Sequence, residues 1–141
     1  MVELLVVLVL IALASGLAGL ALRQSDESRL EREGARLVAL LEAARAESRA
    51  SGVPVQFVLR GEEPGDGAFR FVGLRPGHGL PNAWLDPTTT ARIEGAPMLR
   101  LGPEPLIGAQ RIVLSLGERE LALATDGLMP FALVTTEAAA R

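Results

Sequence analysis

Residues 4–22 form an uncharged, overwhelmingly apolar run, and a single carboxylate, Glu3, stands at its outer lip. Coiled as a helix at ~1.5 Å per residue, the run reaches roughly 28 Å, about the hydrocarbon thickness of a bilayer. A helix that is apolar on every side has to be covered on every side. An ionisable group at membrane depth costs ~3 kcal/mol near the centre and less toward the edge, so Glu3 calls for a partner.

Three fates fit such a segment. A cleaved secretory signal needs a basic start, a shorter apolar stretch and a small-residue exit site. Ala12-Leu13-Ala14 could serve as the exit, but no arginine or lysine precedes the run. A plain membrane anchor fits the length and leaves Glu3 without a purpose. A helix that packs among similar helices explains more. Ala12 with Gly16, Ser15 with Gly19, and Ala14 with Ala18 put small residues at four-residue spacing, where backbones can approach closely. Small residues are also common in membrane helices of every kind. Arg23, Arg29, Arg32 and Arg36 follow the run. By the positive-inside rule alone, they would hold the rest of the chain in the cytoplasm.

Composition narrows the chemistry. The 141 residues contain no cysteine, so disulfides, a lipid-modified cysteine anchor and thiolate metal sites are excluded. With one histidine, His78, a multi-histidine metal site is excluded too. No lysine occurs, which removes the phosphate-binding glycine loop that ends in Lys-Ser/Thr. A net charge of −3 disfavours a nucleic-acid partner, whose footprint is a basic face.

Residues 24–52 continue the helix in amphipathic form. Leu30, Leu37, Leu41, Ala44 and Ser48 recur on one stripe. Arg29–Glu33, Glu33–Arg36 and Glu42–Arg45 are spaced for ion pairs on the other faces, and Gly34 softens the middle. Gly52 is a suitable C-terminal cap, and Pro54 blocks continuation. From there the pattern has period two, and strands are expected at 53–59, 68–74, 88–94, 97–101, 111–116, 120–125 and 131–135. Residues 62–67 read as a hairpin turn, 75–82 and 106–108 as loops, and 137–141 as a frayed tail. Strands without intervening helices imply antiparallel sheets. The expected fold class is α+β. It comprises an apolar segment for a membrane or for packing among similar helices (1–23), its amphipathic continuation (24–52) and a β-rich domain (53–136).

Val2-Glu3-Leu4-Leu5-Val6-Val7-Leu8-Val9-Leu10-Ile11 resembles the N-terminus of type IV pilins and type II secretion pseudopilins. Glu3 matches the glutamate of that superfamily, although only Met1 and Val2 precede it where the family has four residues after its cleavage point. The resemblance therefore implies a basic leader ending in glycine upstream of Met1, cut by a prepilin leader peptidase before a methylated residue. Such a leader would reverse the topology that the arginines alone suggest. The stretch from Arg36 to Val55, ending Ala44-Arg45-Ala46-Glu47-Ser48-Arg49-Ala50-Ser51-Gly52-Val53-Pro54-Val55, is similar to the GspH/FimT group, where a helix passes straight into a strand, and Thr125-Asp126-Gly127 resembles its terminal hairpin.

The resemblance implies a pilin-like fold and a non-enzymatic minor pseudopilin of the H type. It would be stored as a single-pass protein of the bacterial inner membrane with its domain in the periplasm. Implied partners are other major and minor pseudopilins and the inner-membrane assembly platform. In this reading Glu3 pairs with the α-amino group of a neighbouring subunit, and Ala12, Ser15, Gly16 and Gly19 pack against sibling helices. The rival within the same group is a type IV pilus minor pilin that binds DNA in natural transformation, which would need a basic surface near the C-terminus. No cofactor, metal or catalytic residue is expected. His78, between two glycines, reads as a solvated loop residue; Trp84 as a core or loop anchor; Asp126-Gly127 as a tight turn; and Glu62, Glu63 and Asp66 as a solvated acidic turn.

Overall fold

The computed structural model describes residues 1–60 and 67–134. One helix, α1 (Val2–Ser51), carries the apolar run and the amphipathic stretch without interruption, about 75 Å end to end. No proline interrupts it. It stops where Gly52 turns left-handed at φ 70° and returns its N–H to the Ser48 carbonyl at 2.9 Å. The Ser48 hydroxyl donates to the Val53 carbonyl at 2.6 Å, fixing the exit of the chain.

Seven strands follow: β1 (Gln56–Leu59), β2 (Phe69–Val72), β3 (Thr90–Glu94), β4 (Leu99–Arg100), β5 (Gln110–Leu116), β6 (Arg119–Thr125) and β7 (Ala132–Val134). They form two antiparallel sheets, ordered β2-β1-β4 and β3-β5-β6-β7. All seven expected strands exist, several of them trimmed. The first begins at Gln56 rather than Val53, because Val53 and Pro54 complete the helix cap, and β4 shrinks to two residues paired with Gln56 and Phe57. The expected hairpin turn and tail, and Thr135, fall wholly or mostly outside the described residues.

Helix and strand periodicities meet in one core. Leu30, Leu37, Leu41 and Ala44 are buried along α1, as is Ser48. Beneath them the β5–β6 register sets Ile112 against Leu123 and Leu114 against Leu121 on one face. Phe57, Phe69, Leu99 and Phe131 extend the same cluster. Trp84 packs on Phe69 with ring centroids 4.6 Å apart, so it is a core anchor. Each fully buried leucine of this kind contributes ~2 kcal/mol by removal from water.

Gly34 does not soften the helix. It is buried, and a Cβ there would lie 2.6 Å from Leu121 Cδ2 and 2.8 Å from Leu133 Cδ2. The missing side chain is what lets β6 and β7 press against α1. Gly34→Val should therefore lower thermal stability by ~2 kcal/mol through overpacking, despite its better intrinsic helix propensity. A variant as stable as the parent would show that this contact is slack.

Candidate functional site

The N-terminal half of α1 stands free of the domain. Every residue from Met1 to Arg23 is exposed, and of the first thirteen all but Glu3 and Ala12 carry large apolar side chains. The stretch is long and apolar enough to cross a membrane, and none of it is covered within this chain. Glu3 lies in the first helical turn, where unpaired backbone N–H groups favour an anion. Ser15 returns its hydroxyl to the Ile11 carbonyl at 2.8 Å, which hides that donor from an apolar environment. At Gly16 and Gly19 nothing lies within 4 Å of where a Cβ would stand, so both leave room for a neighbouring backbone. Ala12, Ser15, Gly16 and Gly19 are all open to such a neighbour.

The other half of α1 holds two buried charges that the helical pattern had placed outward. Glu33 sits at 2% exposure and accepts from Arg36 Nη1 at 2.8 Å and from the Leu85 backbone N–H at 2.7 Å. Arg36 also donates to the Ala83 carbonyl at 3.1 Å, so this pair fastens the 83–85 loop to the helix. Arg29, expected to pair with Glu33, instead reaches Asp86 at 3.5 Å.

Arg45 is buried at 3% exposure. Its Nη1 donates to the Met129 carbonyl at 3.2 Å, and its Nη2 to the carbonyls of Gly127 at 3.0 Å, Leu128 at 3.5 Å and Pro105 at 3.5 Å. Glu42 lies 3.8 Å from the same guanidinium and accepts from the Phe131 N–H at 3.1 Å. One arginine thus ties two distant loops, 102–109 and 126–131, to the end of the helix. Its planar fork suits this work, since several carbonyls can be met at once.

The 126–129 turn is then closed on itself. Asp126 Oδ1 accepts from the N–H groups of Leu128 at 2.9 Å and Met129 at 2.8 Å. The Met129 and then the Leu128 N–H hold the Asp126 carboxyl below its ordinary range. Thr125 donates its hydroxyl to the Met129 carbonyl at 2.6 Å and accepts from the Gly127 N–H at 2.9 Å. Gly127, at φ 96°, packs so closely on Gly108 that a Cβ would lie 2.7 Å from its nitrogen. Asp126-Gly127 is thus the tight turn expected from the sequence.

His78 is exposed, with Nδ1 3.6 Å from Glu47, which Arg75 also approaches at 3.4 Å. On the outer sheet face Arg92 binds Glu120 at 2.8 Å, which lowers the Glu120 carboxyl below its ordinary range and raises Arg92. Among the described residues no group of three His, Asp or Glu side chains could hold a metal ion. A groove of about 910 Å³ runs between α1 and the β6–β7 edge, lined by Glu27, Arg32, Arg119, Leu121 and Leu133 among others. Ser28 is its single hydroxyl, and His78 is not among its walls. Comparison of the chain with family models, with curated proteins and with solved structures found no match.

Replacing Arg45 by methionine should destabilise the domain by about 2–4 kcal/mol, because the carbonyls it serves are left buried and unpaired. Chemical denaturation of the full chain in neutral detergent reads this, and a loss below the noise would show that water serves the carbonyls equally well. Asp126 sets an acid limb. Its folded carboxyl titrates below the ordinary 3.8, so its contribution is present above that value and is lost as pH falls from there through the depressed value. Asp126→Asn keeps the acceptor, and the stability of that variant should fall less steeply over the same acid window than that of the parent.

Proposed function

We propose that this chain is a structural subunit of a bacterial type II secretion pseudopilus, a minor pseudopilin of the H type. The observation that carries the reading is the continuity of α1. The same helix leaves its apolar half uncovered and buries its second half in a β-rich domain. A segment that needs apolar surroundings is thereby joined to its domain without a hinge. In the inner membrane, lipid covers the first half; in a filament, the helices of other pseudopilins cover it. The domain stands on the periplasmic side in both states. No enzymatic step is required of it.

Glu3 supplies the selectivity in this scheme. A carboxylate at the edge of an apolar bundle is tolerated when an opposite charge meets it, and an unpartnered one is penalised. The α-amino group of an adjacent subunit is the natural counter-charge once the upstream leader has been removed. Its placement at one axial height makes the pair a register mark. The small residues Ala12, Ser15, Gly16 and Gly19 allow the close helix approach that such a pair needs.

In the native host, Glu3→Ala should insert into the membrane as the parent does. Photo-cross-linking to other pseudopilins through a photoreactive residue placed at Leu13 should be lost, together with most of the protein export. Cross-linking and export at parental levels in Glu3→Ala would remove the proposed role. Recovery of the domain as a free periplasmic monomer, cut from its helix by signal peptidase, would remove the whole reading.

A further inference from the structure

The loops that Arg45 ties together carry an exposed apolar patch. Leu106, Leu128 and Met129 are 62%, 68% and 64% exposed. Pro105 and Pro130 beside them are exposed as well. The two loops touch: Ile107 donates its N–H to the Gly127 carbonyl at 3.3 Å, and Arg45 Nη2 serves both Pro105 and Gly127.

The backbone of the 127–129 turn is already engaged. The N–H groups of Gly127, Leu128 and Met129 are taken by Thr125 and Asp126. Their carbonyls are taken by Arg45, by Ile107 and by Thr125. The N–H groups of this turn are therefore not free to pair with an added strand, and recognition there falls to the side chains. Leu106, Leu128 and Met129 are held outward on touching loops, and apolar side chains grouped on a surface mark interaction sites.

Charge and position select the occupant. The only ionisable side chains on loops 102–109 and 126–131 are Glu104 and Asp126, both exposed. Asp126 is held ionised by its turn and by Arg45, which is buried beneath the two loops and presents no charge at their surface. The patch thus has an apolar centre and an anionic margin. A bilayer is a poor match for it: Arg45 lies roughly 35 Å along α1 from the end of the apolar run, out of reach of a membrane that holds that run. Anionic lipid would also be repelled.

We propose that this patch is a docking site for a partner protein that presents an amphipathic segment with cationic flanks. Leu106, Leu128 and Met129 receive its apolar side chains; Glu104 and Asp126 meet its arginines or lysines. The site adds a second contact surface to the assembly reading given above and does not depend on Glu3 or on filament formation.

The test uses the full chain in zwitterionic nanodiscs with ¹³C-methyl methionine, which reports Met1, Met98 and Met129 separately. The probe is a synthetic amphipathic Leu/Lys peptide; Leu/Glu and Ser/Lys peptides of equal length are controls. The Met129 methyl should shift saturably with Leu/Lys alone while Met98 stays fixed. Leu128→Ser should weaken the response about fivefold or more. Asp126→Asn combined with Glu104→Gln, which preserves the turn acceptor, should weaken it and flatten its salt dependence. An unmoved Met129, an equal response to Leu/Glu, or indifference to Leu128→Ser would overturn the proposal. Because the readout is Met129 alone, failure here is separable from failure of the assembly role of Glu3.

Discussion

A single helix here must satisfy two different surroundings, and the rest of the structure follows from that constraint. From Leu30 onward the surroundings are supplied by the chain itself, as Leu37, Leu41 and Ala44 sink completely into the sheet formed around β5 and β6. Before Arg23 the described residues supply nothing, and every apolar side chain is left open. Hydrophobic stabilisation of the second half therefore fixes the direction in which the first half projects. The β-domain is in this sense a handle clamped on the outer half of a rod.

What clamps it is only partly apolar. Glu33 and Arg45 are buried on the same side as the leucine stripe, twelve residues apart, and each fastens a loop that would otherwise have no reason to stay. Buried ions of this kind are weak contributors to net stability, because desolvation offsets most of the attraction. They are strong in another respect: carbonyls at the end of an arginine fork have one low-energy arrangement. The exposed pairs, such as Arg23 with Glu118 at 3.8 Å, lie in water and fix much less.

The amino-acid pattern made the helix, its cap at Gly52 and the existence of all seven strands legible, since each rests on local spacing. It failed where the deciding contact is distant in the chain. Glu33 and Arg45 look outward to a period count because they are charged, yet they sit three or four positions from buried stripe members. Their partners, Leu85 and Gly127, are 52 and 82 residues away. Gly34 misled for a related reason. In isolation it reads as a weak point in a helix, and only the arrival of Leu121 and Leu133 turns it into a contact. The Asp126-Gly127 turn was legible as a turn, but nothing local revealed the arginine behind it or the apolar side chains it holds out. Glu3 and the small-residue face are exposed along α1, as the pattern suggests for a helix that its own domain leaves open.

The three glycines of α1 separate the two halves on energetic grounds. Each costs about 1 kcal/mol against alanine in a helix interior. At Gly34 the cost is recovered within the chain, by the approach of β6 and β7. At Gly16 and Gly19 it is not, since nothing lies within 4 Å of either. Both lie in the uncovered half, one and four positions from Ser15 and each followed by a leucine, where they leave room for a neighbouring backbone. The same reasoning applied to Gly34 gives the right answer inside the domain, where the neighbour is visible.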